Sequence, residues 1–299
     1  GSTSQTCGLT KYTDNNNYQN PGVTDAVMAD ATATNIFMDG QRQAGDTQSL
    51  TVSGTDMSGY YIQGSNGGTA NITLNNNATA DMIEVGAAGK TTNTTVTVDH
   101  ATLNGENTSG DYARDKAYMM GSAIYIDPLD KGYHTVNISN GSTLHGSIIS
   151  AGTGAQNITM SDRIMDNGGI YAGSDKSDTT LSLTNATVDA SNSEIAKNID
   201  TLAEKLSTYA PFSNINVDAF GDVAVAMYGT TQDTLVLNNS TVTGDIGVIN
   251  ENGQTQLSFT NKSVVNGNVT VDGNSTNSVL VDNSTINGNV DTSQNSGNS

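Results

Sequence analysis

Short runs in which apolar and polar residues alternate recur along this chain at a fixed spacing. Residues 234–248 contain three such runs, marked by Leu235 and Leu237, by Val242, and by Ile246 and Val248. The second apolar residue of the first run, which we call the anchor, returns at equal intervals at Leu237, Phe259 and Val281. Three short alternating strands in each interval of about 22 residues predict one coil of a parallel β-helix.

Anchors can be followed through most of the chain. They are Val52, Leu74, Val98, Ile138, Met160, Leu183, Leu237, Phe259 and Val281. Six successive gaps are each close to one repeat, and the other two, from Val98 to Ile138 and from Leu183 to Leu237, correspond to one coil plus an insertion. The sequence therefore predicts an all-β solenoid over residues 46–292, a right-handed three-stranded parallel β-helix of about nine coils. The crossover rule for parallel strands supports this handedness.

Both predicted insertions fall at the same corner, between the second and third strands of their coils. The second strand is marked by an apolar residue soon after the anchor, and a Gly that follows it predicts a corner with positive φ. In two coils the third strand is delayed, to Ile124 and to Val223. The insertions, about 106–121 and 190–222, are thus three coils apart. The second contains the capping pattern Ser191-x-x-Glu194 followed by apolar residues at helical spacing, which predicts a short helix.

Two insertions at one corner would wall a groove across the coils between them, and long loops on a rigid scaffold often bind ligands. Candidate ligand-binding residues in and beside this groove are Tyr125, Asp127, His145, Arg163, Asp166, Tyr171 and Asp189. Strand alternation turns Tyr125, Ile149 and Tyr171 outward. These three form either an exposed ladder or a surface covered by the loops. Outward Asn and Thr elsewhere are structural ladders or a second binding face.

The ends of the chain are less regular than residues 46–292. We interpret residues 1–45 as an N-terminal cap with a weak strand at Ile36-Phe37-Met38, because an open solenoid end would expose unpaired strand edges. Residues 293–299 predict a disordered tail. Scarce aromatic residues, at 5% with no Trp, would suit a disordered chain, but the periodicity of residues 46–292 argues against disorder there.

The net charge of −19 argues against nucleic acid and anionic membranes as partners and favours cations, polar glycans or basic partners. Cys7 is the only cysteine, and His100, His134 and His145 are scattered. The sequence predicts no disulfide, no metal site and no cofactor. Many β-helices degrade polysaccharides with clustered carboxylates, but the acidic residues here are spread out. A non-enzyme is therefore expected, and a polysaccharide-degrading enzyme is the weaker alternative.

The repeated form Asn-Ser-Thr-(Val/Ile)-x-Gly-(Asn/Asp)-(Ile/Val), at residues 239–246 and 283–290, resembles the passenger domains of AIDA-type bacterial autotransporter adhesins. The resemblance covers about residues 45–292. It implies a β-helical passenger displayed outside a Gram-negative cell. It also implies an anchor in the outer membrane, through a C-terminal barrel that is not in this sequence, so that the passenger itself does not contact the membrane.

The resemblance also implies two functions. One is adhesion to host extracellular-matrix components, namely glycosaminoglycans, fibronectin or both, which promotes colonisation. The other is self-association of copies on opposing cells, which aggregates bacteria and builds biofilm. Binding residues in this family do not occupy fixed motif positions, so none of the candidates above is taken from it.

Overall fold

The computed structural model describes residues 2–7, 26–28, 35–38, 47–64, 67–106, 121–193 and 223–292. In these ranges the chain forms a right-handed parallel β-helix of about nine turns and contains no helix. At an inter-strand spacing of about 4.8 Å this is a rod on the order of 40 Å long. The helix predicted after Ser191 lies outside the described residues, as do most of both insertions and the tail at 293–299.

The described chain contains 26 strands. In chain order they are β1 (Ser2–Cys7), β2 (Ala26–Met28), β3 (Asn35–Met38), β4 (Thr47–Ser53), β5 (Asp56–Gln63), β6 (Gly68–Asn75), β7 (Thr79–Val85), β8 (Thr92–Asp99), β9 (Thr102–Asn104), β10 (Ser122–Ile126), β11 (His134–Ser139), β12 (Thr143–His145), β13 (Ser147–Gly152), β14 (Gln156–Asp166), β15 (Ile170–Ser174), β16 (Thr179–Asp189), β17 (Val223–Gly229), β18 (Gln232–Asn238), β19 (Thr241–Thr243), β20 (Asp245–Asn250), β21 (Gln254–Thr260), β22 (Val264–Asn266), β23 (Val269–Asp272), β24 (Thr276–Val281), β25 (Thr285–Ile286) and β26 (Val290–Asp291).

Apart from β2, these strands form three parallel stacks, one for each side of the coil. The first stack runs from β1 and β4 through β6, β8, β11, β14, β16, β18 and β21 to β24. The second begins with the first residues of β5 and β7 and runs through β9, β12, β14, β16, β19 and β22 to β25. Its middle rungs come from β14 and β16, which continue from the first stack around the first corner without a break. The third runs from β3 through β5, β7, β10, β13, β15, β17, β20 and β23 to β26.

The predicted register is confirmed along the whole series of anchors. Each anchor from Val52 to Val281 pairs with the next anchor in the series. The anchors from Val52 to Phe259 are buried in one continuous apolar core, whereas Val281, on the last described rung, is 45% exposed. Full burial of a side chain such as Leu237 stabilises the fold by roughly 1.5–3 kcal/mol. The solenoid is therefore held by many small contributions stacked along its axis.

The corner between the first and second stacks explains the Asn-Ser-Thr repeat. Asn185, Asn239 and Asn283 take the left-handed conformation there, with φ of 50°, 49° and 48°, which Asn tolerates better than most residues. Asn239 Nδ2 donates to Asn185 Oδ1 at 2.7 Å. The buried Ser240 Oγ accepts the N–H of Ala186 at 3.1 Å, and Ser263 Oγ accepts the N–H of Ser240 at 3.1 Å. This repeat thus satisfies backbone groups between coils.

Glycine at the corner between the second and third stacks has two roles, of which the sequence predicted only one. Gly146 and Gly244 have φ of 131° and 126°, as expected for a corner that needs positive φ. Gly267 and Gly288 are required for a different reason. A Cβ on Gly267 would lie 2.3 Å from the Gly244 carbonyl oxygen, and one on Gly288 would lie 2.2 Å from that of Gly267. Close stacking of the turns selects glycine there.

The N-terminal region contains three of the described strands. β3 covers the strand predicted at Ile36-Phe37-Met38, and it pairs antiparallel with β2 and parallel with β5. β1 pairs in parallel register with β4, so the first stack extends one rung below the first anchor. A capping role for residues 1–45 remains a prediction.

A column of buried polar side chains lines the interior where the first-stack strands begin. Its members are Thr94, His134, Gln156, Thr179, Asp233, Thr255 and Asn277. Burial raises the pKa of Asp233 to about 7, although Asn250 Nδ2 donates to its Oδ2 at 3.0 Å. The neighbouring carboxylate of Asp178 raises this pKa further. The alternating pattern alone did not predict polar residues inside the coil.

Asp130 satisfies the backbone beside this column. Asp130 is fully buried, although it ends the acidic turn at residues 127–130. Its carboxylate accepts the N–H groups of Thr92 and Gly132, each at 2.9 Å. Burial by itself raises the pKa of Asp130, but hydrogen bonds from His134, Gly132 and Thr92 outweigh burial and hold this pKa below its ordinary value.

Candidate functional site

Three of the predicted site residues lie in one line on the outside of the second stack. We call this line the second-strand column, and its members are Asn104, His145, Asp166, Asp189, Thr243, Asn266 and Asn287. Every member is exposed or half-buried. Since consecutive rungs are about 4.8 Å apart, the column is a regular polar array that runs along the rod.

Strand alternation places the column on the outer surface. Leu103, Leu144 and Met165 are in register and point into the core, so the residues that follow them point outward. Hydrogen bonds also connect members at the C-terminal end. Asn287 Nδ2 donates to Asn266 Oδ1 at 2.9 Å, and Asn266 Nδ2 donates to Thr243 Oγ1 at 3.4 Å.

His145 lies at the point of the column where two carboxylates come close to an imidazole. Its Nδ1 donates to Asp166 Oδ1 at 2.5 Å and lies 3.6 Å from Glu106 Oε1. His145 and Glu106 are each 35% exposed, and Asp166 is 37% exposed. Asn167 Nδ2 donates to Glu106 Oε1 at 2.5 Å and fixes this carboxylate beside the imidazole. Within the described ranges this is the one group of three ligand-type side chains whose donor atoms all lie within 4.8 Å of one another.

Asp189 lies one rung beyond Asp166 and stabilises the start of the second insertion. Its Oδ1 accepts the backbone N–H of Ser191 at 3.0 Å and the Ser191 hydroxyl at 2.6 Å. Asp189 therefore has a local structural role and also continues the column toward Thr243.

Of the two alternatives for Tyr125, Ile149 and Tyr171, the exposed ladder is wrong, because the three side chains are covered. The three residues stack in register as predicted, but each is only 1% exposed. They form a second apolar cluster outside the solenoid core, together with Met82, Ala151, Val223 and Tyr228. Burial raises the pKa of Tyr171, whose hydroxyl donates to the carbonyl oxygen of Val223 at 3.4 Å. Outward-pointing apolar side chains on neighbouring rungs thus pack together in a second buried cluster.

Arg163 is also not available at the surface, contrary to expectation. It is 3% exposed and lies at the corner between the first and second stacks, aligned with Ala186 on the next coil. Both of its Nη atoms donate to the carbonyl oxygen of Ser142 at 3.3 Å. Burial lowers the pKa of Arg163 to about 10. The guanidinium therefore hydrogen-bonds the backbone at this corner, in the position where other coils have a serine.

Asp127 lies at a different corner, between the third and first stacks, and is not brought to the column. Its Oδ1 accepts the N–H of Leu129 at 2.8 Å, and its own N–H donates to the carbonyl oxygen of Val85 at 3.0 Å. Short side-chain bonds of this kind are typical of Asp-containing turns. Of the seven predicted residues, the structure thus brings together His145, Asp166 and Asp189.

Glu106 is the site residue that sequence reasoning missed. It was interpreted only as the start of an insertion, and the whole of that insertion and two further strands separate it from His145 in sequence. The register of Asn104 with His145 carries Glu106, which follows Asn104 and Gly105, to the same corner of the adjacent coil. Counting from the second-strand apolar residues predicts that Asn104, His145 and Asp166 lie side by side. It does not predict that the side chain of Glu106 lies beside His145.

Comparison with known proteins identifies no relative: no family model, curated protein or solved structure matches this chain. Across the described ranges, no helix has the length and apolar character needed to span a membrane. A functional proposal for this chain therefore depends on the chemistry of the second-strand column.

Proposed function

We propose that this chain is a non-catalytic adhesin that binds host extracellular-matrix components along the second-strand column. One observation carries the proposal, namely the unbroken line of exposed or half-buried polar side chains in register over seven coils, from Asn104 to Asn287. The repeated motif shared with AIDA-type passengers supports display on the outside of a bacterial cell, at its outer membrane.

A linear array suits a linear ligand. An extended polymer lying along the rod meets a donor or acceptor on every rung, so individually weak contacts add through multivalency. The buried tyrosines cannot supply the stacking surface expected from the sequence, and the proposal therefore rests on hydrogen bonding. Each such contact contributes about 0.5–1.5 kcal/mol.

Charge distinguishes between the two classes of matrix ligand. The chain carries a net charge of −19, and Glu106, Asp166 and Asp189 are at or beside the column. Sulfated glycosaminoglycans would be repelled along most of this surface. A matrix glycoprotein such as fibronectin, whose surface can offer cationic and amide side chains, fits the column better.

The proposal is tested by surface plasmon resonance with immobilised fibronectin and, in parallel, heparan sulfate. The test variant combines Asp189→Asn, Thr243→Ala and Asn266→Ala, which remove column chemistry without touching the core. The control variant combines Asn157→Ala and Thr159→Ala, which are exposed on the first stack of β14. We expect the test variant to bind fibronectin about tenfold more weakly or worse, since two hydrogen-bonding side chains and one negative charge are lost.

The control variant should bind like the wild type. An absence of saturable binding by the wild type to both ligands would overturn the matrix-binding proposal. Equal weakening in the control and test variants would move the site away from the column.

Self-association is the second candidate, and one feature of the column favours it. Asn amides and Thr hydroxyls both donate and accept hydrogen bonds, so the run from Thr243 to Asn287 is complementary to an antiparallel copy of itself. Sedimentation velocity at several concentrations tests this directly. Concentration-dependent dimers that are lost in the triple variant would support self-association, and monomers at all concentrations would exclude it as the function of this region.

A further inference from the structure

We propose that Glu106, His145 and Asp166 form a binding site for a single Zn²⁺-like divalent cation on the surface of the solenoid. The sequence predicted no metal site, and the inference is independent of the adhesin proposal. It rests on the geometry, electrostatics and donor chemistry of the three side chains.

The geometry is close to that of a metal centre. A cation about 2.0–2.2 Å from each ligand atom brings neighbouring donors to roughly 3–3.6 Å from one another. His145 Nδ1 is already 2.5 Å from Asp166 Oδ1 and 3.6 Å from Glu106 Oε1, and all three donor atoms lie within 4.8 Å of one another. Each side chain is about one-third exposed, so small rotations in solvent-accessible space are sufficient to receive an ion.

Electrostatics also favour a cation. Two carboxylates converge on one imidazole nitrogen, and the hydrogen on His145 Nδ1 now occupies the position between them. A divalent ion bound to Nδ1 takes the place of that hydrogen, and the neutral imidazole then carries its one proton on Nε2. The two carboxylates balance the charge of the ion, leaving a neutral three-ligand centre. The net charge of −19 attracts the ion toward this surface.

The supporting residues resemble those that orient metal ligands. Asn167 Nδ2, two coils along the rod, donates to Glu106 Oε1 at 2.5 Å, and this oxygen keeps a second lone pair for a metal ion. His145 and Asp166 are on paired rungs of one stack, so their Cα positions are fixed by strand register. Hydrogen bonding to a ligand carboxylate and a rigid scaffold both reduce the entropic cost of assembling a site.

The donor set selects the class of metal. One imidazole nitrogen and two carboxylates suit Zn²⁺ and related transition metals, whereas Ca²⁺ and Mg²⁺ prefer oxygen ligands alone. Three protein ligands on an exposed surface leave a coordination position open for water or for an oxygen atom of another molecule.

Isothermal titration calorimetry of the purified chain, free of any affinity tag, tests the site with ZnCl₂ and, separately, CaCl₂. We expect one Zn²⁺ per chain and no comparable binding of Ca²⁺. His145→Asn should weaken Zn²⁺ binding about 100-fold or more, and Glu106→Gln and Asp166→Asn about tenfold or more each, because each removes a ligand. Affinity should also fall on acidification, since a protonated imidazole has no lone pair for the metal.

The matched control makes the same substitution at another exposed histidine. His100 lies at the first corner with φ of 52°, and Asn140 occupies the equivalent corner position one coil later with φ of 55°. His100→Asn should therefore fold normally and leave Zn²⁺ binding unchanged. Circular dichroism checks the fold of each variant.

A second measurement avoids substitution altogether. On addition of Zn²⁺ to the wild type, the imidazole nitrogen resonances of His145 should shift, while those of the buried His134 should not. The proposal is overturned by a wild type that binds no Zn²⁺, by Zn²⁺ binding that survives His145→Asn, or by equal loss in His100→Asn.

Discussion

Two columns of outward-pointing residues on the same solenoid differ in exposure. Tyr125, Ile149 and Tyr171 on the third stack are almost completely buried, whereas His145, Asp166 and Asp189 on the second stack remain accessible. Strand alternation turns both sets away from the coil interior. Stacked apolar groups gain from packing together and stacked polar groups gain from remaining hydrated, although Glu84, in register with Tyr125 on the preceding coil, is also buried. Strand topology thus sets the direction of a side chain but does not determine its exposure.

Tyr171→Ala should give the largest contrast between the columns. Truncation of a buried aromatic side chain costs roughly 3–5 kcal/mol through lost burial and the cavity that remains. Tyr133→Ala is the matched control, since Tyr133 is 49% exposed. Urea denaturation should show a large decrease in the free energy of unfolding for the first variant and little for the second. Equal small effects would show that the third-stack cluster does not contribute to stability.

Asp233→Asn should show that a polar group buried inside the coil behaves unlike the exposed column. The raised pKa of about 7, in place of 3.8, means that the folded state retains a proton that the unfolded state has lost. The stability due to neutral Asp233 is complete below about pH 4 and is lost as the pH rises toward 7. The full difference is on the order of 4 kcal/mol.

The Asn side chain is neutral throughout this range. We therefore expect Asp233→Asn to be more stable than the wild type at pH 8 and to have similar stability at pH 4, as measured by urea denaturation at both pH values. Asp130 has the opposite effect on stability. Because its pKa is lower in the folded state, its charged form stabilises the fold above the ordinary pKa of Asp, and this stability is lost as the pH falls below that value. A variant no more stable than the wild type at pH 8 would contradict the burial of a titrating carboxyl at position 233.

Ser240→Ala tests the first corner and should have an intermediate effect. It removes the acceptor for the N–H of Ala186 and the donor to the carbonyl oxygen of Asn238, and it should cost about 1–2 kcal/mol. Ser258→Ala is a suitable control, since no side-chain hydrogen bond from Ser258 is found in the described ranges. Thermal unfolding followed by circular dichroism separates the two. Identical melting temperatures would mean that the serine ladder is incidental.

Asn266→Ala should change stability least. Asn266 is exposed on the second-strand column, so its truncation should alter the free energy of unfolding by no more than about 0.5 kcal/mol. Urea denaturation should detect no more than that small change. A large loss of stability would make the column a structural ladder and would weaken its proposed role in binding.

Much of the fold was predictable because the buried apolar residues recur with the strand register. Leu183, Leu237 and Phe259 pair as the anchor spacing requires, even across the longer insertion. Burial of Arg163 was not predictable, and for Tyr171 the sequence left exposure and burial open, because burial depends on contacts between parts of the chain that no local pattern relates. Asp233 was missed because the pattern treats each inward position as apolar, while here Asp233 accepts from Asn250, whose amide also donates to the backbone carbonyl oxygen of Gln254.

The candidate site was predicted in part. His145, Asp166 and Asp189 follow from counting residues beyond the second-strand apolar positions, and the structure confirms their alignment. Their relation to Glu106 depends on the path of the chain after Gly105 and on the hydrogen bond from Asn167, neither of which has a sequence signature. Side chains that meet around a corner can therefore be identified only from coordinates, whereas side chains that align along one stack can be identified from the strand register alone.

The wide gap between Leu183 and Leu237 also has a consequence for the order of folding. Most rungs close a loop of about one coil, but this pair closes a loop more than twice as long, because the second insertion lies within it. Loop-closure entropy makes that single step about 0.8 kcal/mol less favourable than its neighbours. Growth of the solenoid from either side should therefore pause at this rung. Addition of the rung that joins these two parts of the first stack should therefore be slower than addition of its neighbours.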